Sequence, residues 1–323
     1  MLRQRAAAKD CPILDVAESF ALDPRSLMRL AELCRRHDVR IWHGHDYKTN
    51  LFGVLLQPFL GFRLVSTVHG WVSQEGRLPL YYGVDRWALR RHERVIAVSQ
   101  DLLDLCRAAK IPERVLHLVE NAIDTEDFRR RGPAAASSRR AGMPPGRLVV
   151  GAVGRLSQEK GFDLLVEAAG ALLSEGIDFE LWIAGEGSER DRLAELAERT
   201  GQAERIRLLG FQSDLKSLFE AFDIFCLSSR REGLPNVLLE AMAMEVPAIA
   251  TRAGGVEAFT AGRDDILTVP VEDGEALAEG LRSLLQTPAL RHSLATSARK
   301  RVEQECGFQA RMRKMASIYD EIH

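Results

Sequence analysis

The sequence predicts an α/β protein built from two doubly wound domains, and three observations predict it. Short apolar, β-rich runs alternate with amphipathic helical stretches along almost the whole chain, the pattern of βαβ units with parallel sheets. Runs such as LVVGAV at 148–153 and DIFCLS at 223–228 are apolar on both faces, as strands covered by helices on each side must be. The 323 residues make about two domains at roughly 150 residues each.

In the first half, strands are expected at Ile13–Ala17, Arg40–His43, Leu64–His69, Arg94–Ser99 and Val115–Glu120. Helical patterns such as Pro24–Arg36 and Gln100–Ala109 lie between them. The apolar run Leu51–Phe62 is too short for the roughly 20 residues of a membrane span and contains Gln57 and Pro58, so it reads as a core helix. The segment Arg129–Arg147 mixes basic, Pro, Gly, Ser and small residues without periodicity, which reads as a linker. Beyond it, strands are expected at Leu148–Gly154, Glu180–Gly185, Ile206–Gly210, Ile224–Ser228, Ala248–Thr251 and Ile266–Val269. Helices Gly161–Glu175, Glu189–Arg199, Leu215–Ala221, Asn236–Met244 and Glu275–Gln286 separate them. The expected layout is a first domain at 1–130, a linker at 131–147, a second domain at 148–306 and a C-terminal helix at 307–323 that crosses back to the first domain.

Composition excludes several classes. With 46% hydrophobic and 28% charged residues the chain is neither disordered nor fibrous, and a net charge of −2 argues against a general nucleic-acid binder. The first 19 residues lack the apolar stretch of a signal peptide. The five cysteines form no C-x-x-C pair and read as free thiols, so a cytoplasmic location is expected, with peripheral contact to the inner face of the membrane as an option. Residues 1–150 hold 24 Lys/Arg against 17 Asp/Glu (+7) and residues 151–323 hold 20 against 29 (−9). A basic first half suits an anionic acceptor or an acidic membrane surface, or is simply a solvated bias. The stretch Arg86–Arg94 (RWALRRHER) is expected as a basic helix, open to the same two readings.

In a two-domain α/β chain the default ligand site lies at the C-terminal ends of the strands, in the cleft between domains. Two post-strand loops carry chemistry there. The first, RLSQEKG at 155–161, places Arg155 and Lys160 in a Gly-flanked loop entering a helix. Such a loop suits a phosphate, because backbone N–H groups and the positive helix end act beside full charges. The second, REGLPNVLLE at 231–240, places Glu232 over a helix start, Pro235 at the expected first helical position and Glu240 about five residues further on. One carboxylate can orient a polyhydroxy ligand and the other can accept both hydroxyls of a ribose, with the helix N-terminus favouring phosphates between them.

The pattern EGLPNVLLEAMA, with Glu232 and Glu240 in E-x7-E spacing, resembles the signature of retaining glycosyltransferases of family 4, which have the GT-B fold. The segments GRLSQEKG, LWIAGEGSE, IRLLGFQSDL and AGGVE fall in that family's order and spacing. The resemblance is dense over 148–290 and looser over 38–130. It implies two Rossmann-like domains facing across a cleft and a nucleotide-sugar donor held by the second, with transfer to a glycan, lipid-linked or small-molecule acceptor. Arg155 and Lys160 would bind the diphosphate and stabilise the leaving group. Glu232 would contact the donor-sugar hydroxyls and Glu240 the ribose. Gly233, Leu234 and Pro235 would line the phosphates and sugar, and Glu186, Gly187 and Phe211 would lie nearer the base. Retention by front-face attack needs no side-chain nucleophile. No D-x-D motif occurs, so the resemblance implies no metal and no cofactor beyond the donor substrate.

In the first domain, His69 resembles the family histidine that reaches the donor sugar, and His45 and Asp46, just after a strand, are acceptor-side candidates. The H-x-H spacing at 43–45 lacks an evident third metal ligand. Asn121–Asp124 (NAID) resembles the family's interdomain N-G-I-D, with Ala122 in place of Gly. The family pattern begins with a strand, a Gly-rich loop and a helix that do not precede Ile13. The first domain is therefore expected to be incomplete at its N-terminus, by roughly 30 residues or more. A chain starting at Met1 is expected to be weakly active or unstable. Two other readings stand beside the glycosyltransferase: a non-catalytic nucleotide-sugar-binding remnant and a GT-B-fold epimerase. A nicotinamide oxidoreductase does not fit, because GAVGR at 151–155 lacks the G-x-G-x-x-G spacing.

Overall fold

The computed structural model describes residues 12–16, 23–69, 78–132, 143–144 and 146–322. Cys11, Ala17, Gly70, Trp71 and most of the expected linker lie outside the described residues. The chain packs as two compact units. One holds the described residues up to Ala97, Leu105–His117 and those from Ser317 onward; the other holds Val98–Asp104 and the described residues of Leu118–Ala316.

In the first unit, strands Ile41–Gly44 (β1), Arg63–Val68 (β2), Arg94–Ala97 (β3) and Leu116–Leu118 (β4) form a sheet in that order, with β1–β2 and β2–β3 parallel. The strand expected at Ile13–Ala17 is not there: 12–16 are irregular and Ile13 and Leu14 are exposed. A strand needs a neighbouring ladder for its backbone groups, and apolar β-propensity alone does not supply one. Helix Tyr47–Leu60 follows β1. Asp46 caps it by accepting the Thr49 N–H at 2.7 Å, and Gly61 at φ 72° ends it. Phe52 and Leu56 are buried on one side, yet Leu55 and Phe59 are exposed, so the run expected as a core helix is core on one face only.

The basic helix expected at Arg86–Arg94 does not form as one piece. Helix Leu78–Leu89 stops before most of its cations, and Arg94 opens β3. Arg90 bonds the Ala109 carbonyl at 2.7 Å, Arg91 lies over the Trp87 ring and Arg94 pairs with Glu321 at 3.2 Å. These charges are tied up within the molecule. Among the described residues, no helix is long and apolar enough to cross a membrane.

In the second unit, Leu148–Val153 (β5), Phe179–Ala184 (β6), Ile206–Gly210 (β7), Ile224–Leu227 (β8), Ala248–Thr251 (β9) and Leu267–Val269 (β10) form a parallel sheet ordered β10-β9-β8-β5-β6-β7. Alternation along the strands fills both faces. Val150, Ala152, Leu181 and Ile183 pack with Leu165, Leu172 and Leu281, while Val149, Trp182 and Ala184 pack with Phe219, Phe222 and Leu239. Each of the Val, Leu, Ile and Phe side chains, fully buried, is worth about 1.5–3 kcal/mol. The chain leaves β5 toward β7 and then returns to place β8 on the other side of β5. The strand order thus reverses between β5 and β8, which opens a crevice at their C-terminal ends.

Candidate functional site

The two loops singled out in the sequence leave these two strands. The first runs from β5 through a short turn, Gln158–Lys160, into helix Phe162–Ser174. The second runs from β8 into helix Asn236–Ala243. Pro235 sits one position earlier than expected, as the N-cap with φ −76° and ψ 134°, and Asn236 is the first helical residue. The shift follows from the extended backbone that Pro235 shares with other cap residues.

The loops are stapled together, and glycine permits the close approach. Gly161 has φ +59°, and a Cβ there would lie 2.2 Å from the Ser228 carbonyl oxygen. Gly254 has φ +51°, with a Cβ 2.4 Å from the Glu232 carbonyl oxygen. Neither position accepts a side chain without backbone movement. Arg230, which sequence reasoning passed over, is the main clamp. It donates to Asp163 at 2.7 and 3.0 Å, to the Gln158 carbonyl at 2.7 Å and to Glu272 at 2.5 Å. Burial pushes the Asp163 carboxyl up, but the Arg230 hydrogen bonds and charge outweigh it and hold it below the usual range. Arg230→Met leaves that carboxylate half-buried and unmatched on this side. The variant is expected to lose about 2 kcal/mol of unfolding free energy, read as a Tm lower by several degrees.

Within this frame Lys160 Nζ donates to Glu232 Oε1, which also accepts from Ser229 Oγ at 2.8 Å. The Glu232 carbonyl accepts the Gly255 N–H at 3.0 Å. Leu234 is buried in the core and its carbonyl accepts from Asn121 Nδ2 at 2.8 Å, so its backbone rather than its side chain faces the loop chemistry. Ala122, in the same NAID segment, does not need a positive φ. Glu240 is largely buried in helix Asn236–Ala243, its Oε2 has no hydrogen-bond partner, and burial pushes its carboxyl up to about 7. A buried carboxylate oxygen without a hydrogen-bond partner is uncommon in a folded protein.

A pocket of about 280 Å³ opens at the C-terminal ends of β5, β6 and β7, lined by Arg155, Glu186, Phe211, Gln212 and the Gly154 and Gly185 backbones. Phe211 is 70% exposed and presents a ring to it. Gly187 lies on the adjoining exposed loop, where the Glu186 carbonyl accepts the Leu156 N–H at 2.8 Å.

In the first unit, the histidines gather at the ends of β1 and β2. His45 Nδ1 and His69 Nε2 are 3.0 Å apart, and His43 stacks on His45 with centroids 4.5 Å apart. His43 is held by Tyr319 and Thr67, and burial, followed by the neighbouring histidines, lowers its pKa to about 4. Asp46 is engaged at the helix N-terminus through Oδ1, which accepts from the Thr49 backbone and hydroxyl.

Two parallel-sheet Rossmann-like domains in one chain define the GT-B class. Anabaena HepE, solved in complex with UDP-glucose, superposes with a TM-score of 0.88 at 20% identity, over 99% of this chain and 88% of that one. The chain belongs to the glycosyl transferases group 1 family, whose model matches residues 135–301; a Glycosyltransferase Family 4 model matches residues 8–127. It is 30% identical to the alpha-D-kanosaminyltransferase of Streptomyces kanamyceticus, over 83% of this chain and 73% of that protein. It is 37% identical to the lipopolysaccharide core biosynthesis glycosyltransferase LpsE of Rhizobium meliloti, over 46% of this chain and 42% of that protein.

Proposed function

We propose that this chain moves a sugar from a nucleotide-diphosphate sugar to an acceptor hydroxyl with retention of anomeric configuration. The observation that carries the proposal is Glu240, partly buried with a partnerless, buried Oε2 one turn into the helix that starts at the β5/β8 switch point. Ribose hydroxyls would fill that vacancy. The diphosphate would then sit against the helix start and the loop of Arg155 and Lys160, and the base would enter the pocket at Glu186, Gly187 and Phe211.

The chemistry follows from charge. As the glycosidic bond lengthens, negative charge grows on the departing diphosphate, and Lys160 and Arg155 are the cations placed to stabilise it without a metal ion. Glu232 would hold sugar hydroxyls, and the backbones of Gly233, Leu234 and Pro235 would line the phosphates. In the first unit, His69, bonded to His45, is proposed as a catalytic residue. The name of the lipopolysaccharide core relative supports an envelope glycan as acceptor.

The test is calorimetry with UDP- and GDP-sugars, followed by product assay and NMR of the new linkage. Binding with weak turnover and a retained anomer is expected. Binding with neither transfer nor hydrolysis would make the chain a nucleotide-sugar-binding remnant, and an inverted product would remove the retaining mechanism.

A further inference from the structure

We propose that Ser229 is a positioning residue for Glu232, keeping its carboxylate aimed at the donor sugar once the diphosphate draws Lys160 away. The inference rests on the donor-site reading above. In the structure Glu232 Oε1 receives two donors, the Lys160 ammonium and the Ser229 hydroxyl at 2.8 Å. A lysine that must also neutralise the leaving diphosphate cannot keep its whole charge on Glu232. When Nζ turns to the phosphate, the hydroxyl is the donor that stays on Oε1.

Ser229 is built to stay. It is 1% exposed, and its carbonyl accepts from Thr251 Oγ1 at 2.5 Å; Thr251 is itself 2% exposed on β9. The Glu232 main chain is fixed separately by the Gly255 N–H at 3.0 Å. With the backbone pinned, three side-chain torsions remain to be set, and a buried hydroxyl bonded to a carboxylate is a strong constraint on them. Ser229 therefore governs where Glu232 points without touching the substrate.

The experiment compares each nucleotide sugar with its own nucleoside diphosphate in calorimetry: UDP-glucose and UDP-galactose against UDP, and GDP-mannose against GDP. The proteins are wild type, Ser229→Ala, Ser229→Thr, Glu232→Ala and the double variant. Ser229→Ala is expected to bind the nucleoside diphosphate within about twofold of wild type while losing about tenfold in affinity for the nucleotide sugar. Ser229→Thr, which keeps the hydroxyl, should recover most of that loss. In the Glu232→Ala background, removing Ser229 should add nothing.

Equal losses for the nucleoside diphosphate and the nucleotide sugar would show a merely structural role and overturn the inference, as would an additive double variant or an unchanged Ser229→Ala. If Ser229→Ala does not fold, Ser229→Cys is read by the same criteria. If wild type binds none of the three sugars, the donor-site reading falls and the inference with it. If Glu232→Ala loses sugar affinity and Ser229→Ala does not, only the inference falls.

Discussion

Lys160→Ala is expected to lower kcat/KM for sugar transfer by about 10²–10³-fold, the usual cost of removing one group that stabilises developing charge. The ammonium lies between the two loops at the switch point and is 24% exposed on its side chain, so it is both shielded and accessible to a ligand. Its hydrogen bond to Glu232 keeps it ready in the loop. The fold does not depend on it to the same degree, because Arg230 and Asp163 staple the same loops independently. The variant should therefore melt within a few degrees of wild type while turnover collapses. Lys160→Arg keeps the charge but replaces a compact ammonium with a planar fork, and should recover only part of the rate. Turnover within tenfold of wild type in the alanine variant would remove Lys160 from the chemistry.

Glu240→Gln is expected to act in opposite directions on stability and on donor binding. Burial raises the Glu240 carboxyl from its ordinary 4.5 to about 7, so between these values the folded protein binds more protons than the unfolded chain. Its contribution to stability is present at low pH and is lost as pH rises through that window. Above pH 7 an ionised, partnerless carboxylate burdens the unliganded fold, and glutamine relieves it. The gain at pH 8 should be on the order of 2 kcal/mol, read as a Tm higher by several degrees.

Donor binding responds the other way. Two ribose hydroxyls donating to Glu240, as proposed, would favour its ionised form, so binding should expel a proton and donor affinity should fall as pH drops below about 7. Glutamine should flatten that dependence and lower affinity at pH 8 by about 10–100-fold. Calorimetry across pH 5.5–8.5 and thermal melts at both ends check the two halves. A wild-type affinity independent of pH, together with a destabilised glutamine variant, would contradict this account.

Much of the second unit was legible because its signals are local. Strands β5 to β10 are continuous apolar runs, and the loops that follow β5 and β8 announce themselves by charge beside glycine. Ser229, Thr251 and Arg230 were not legible. A serine after a strand and an arginine in a charged loop are ordinary in sequence, and their roles come from partners 3 to 72 positions away. In helix Pro288–Glu305, Leu294, Ala298 and Val302 mark the buried side, and the burial of Arg301 there, paired with Asp265 at 2.9 Å, was not legible for the same reason. In the first unit the errors share one cause. Ile13–Val16 has strand chemistry without a strand beside it, and Arg86–Arg94 has helix-compatible charge but ends in a sheet.

By itself the sequence determined the α/β class, the parallel strands of the second unit and the charged loops that follow β5 and β8. Hydrophobic period and loop chemistry are properties of neighbouring residues, and a chain carries them before it folds. Only the tertiary structure decided that β8 returns beside β5, which brings Lys160 onto Glu232 across 72 positions of sequence. It alone decided that Ser229 bonds that carboxylate and that Glu240 keeps a buried oxygen without a hydrogen-bond partner. Burial and pairing depend on what arrives from elsewhere in the chain, and they turn two acidic residues of the same type into one held by two donors and one with an unpartnered oxygen.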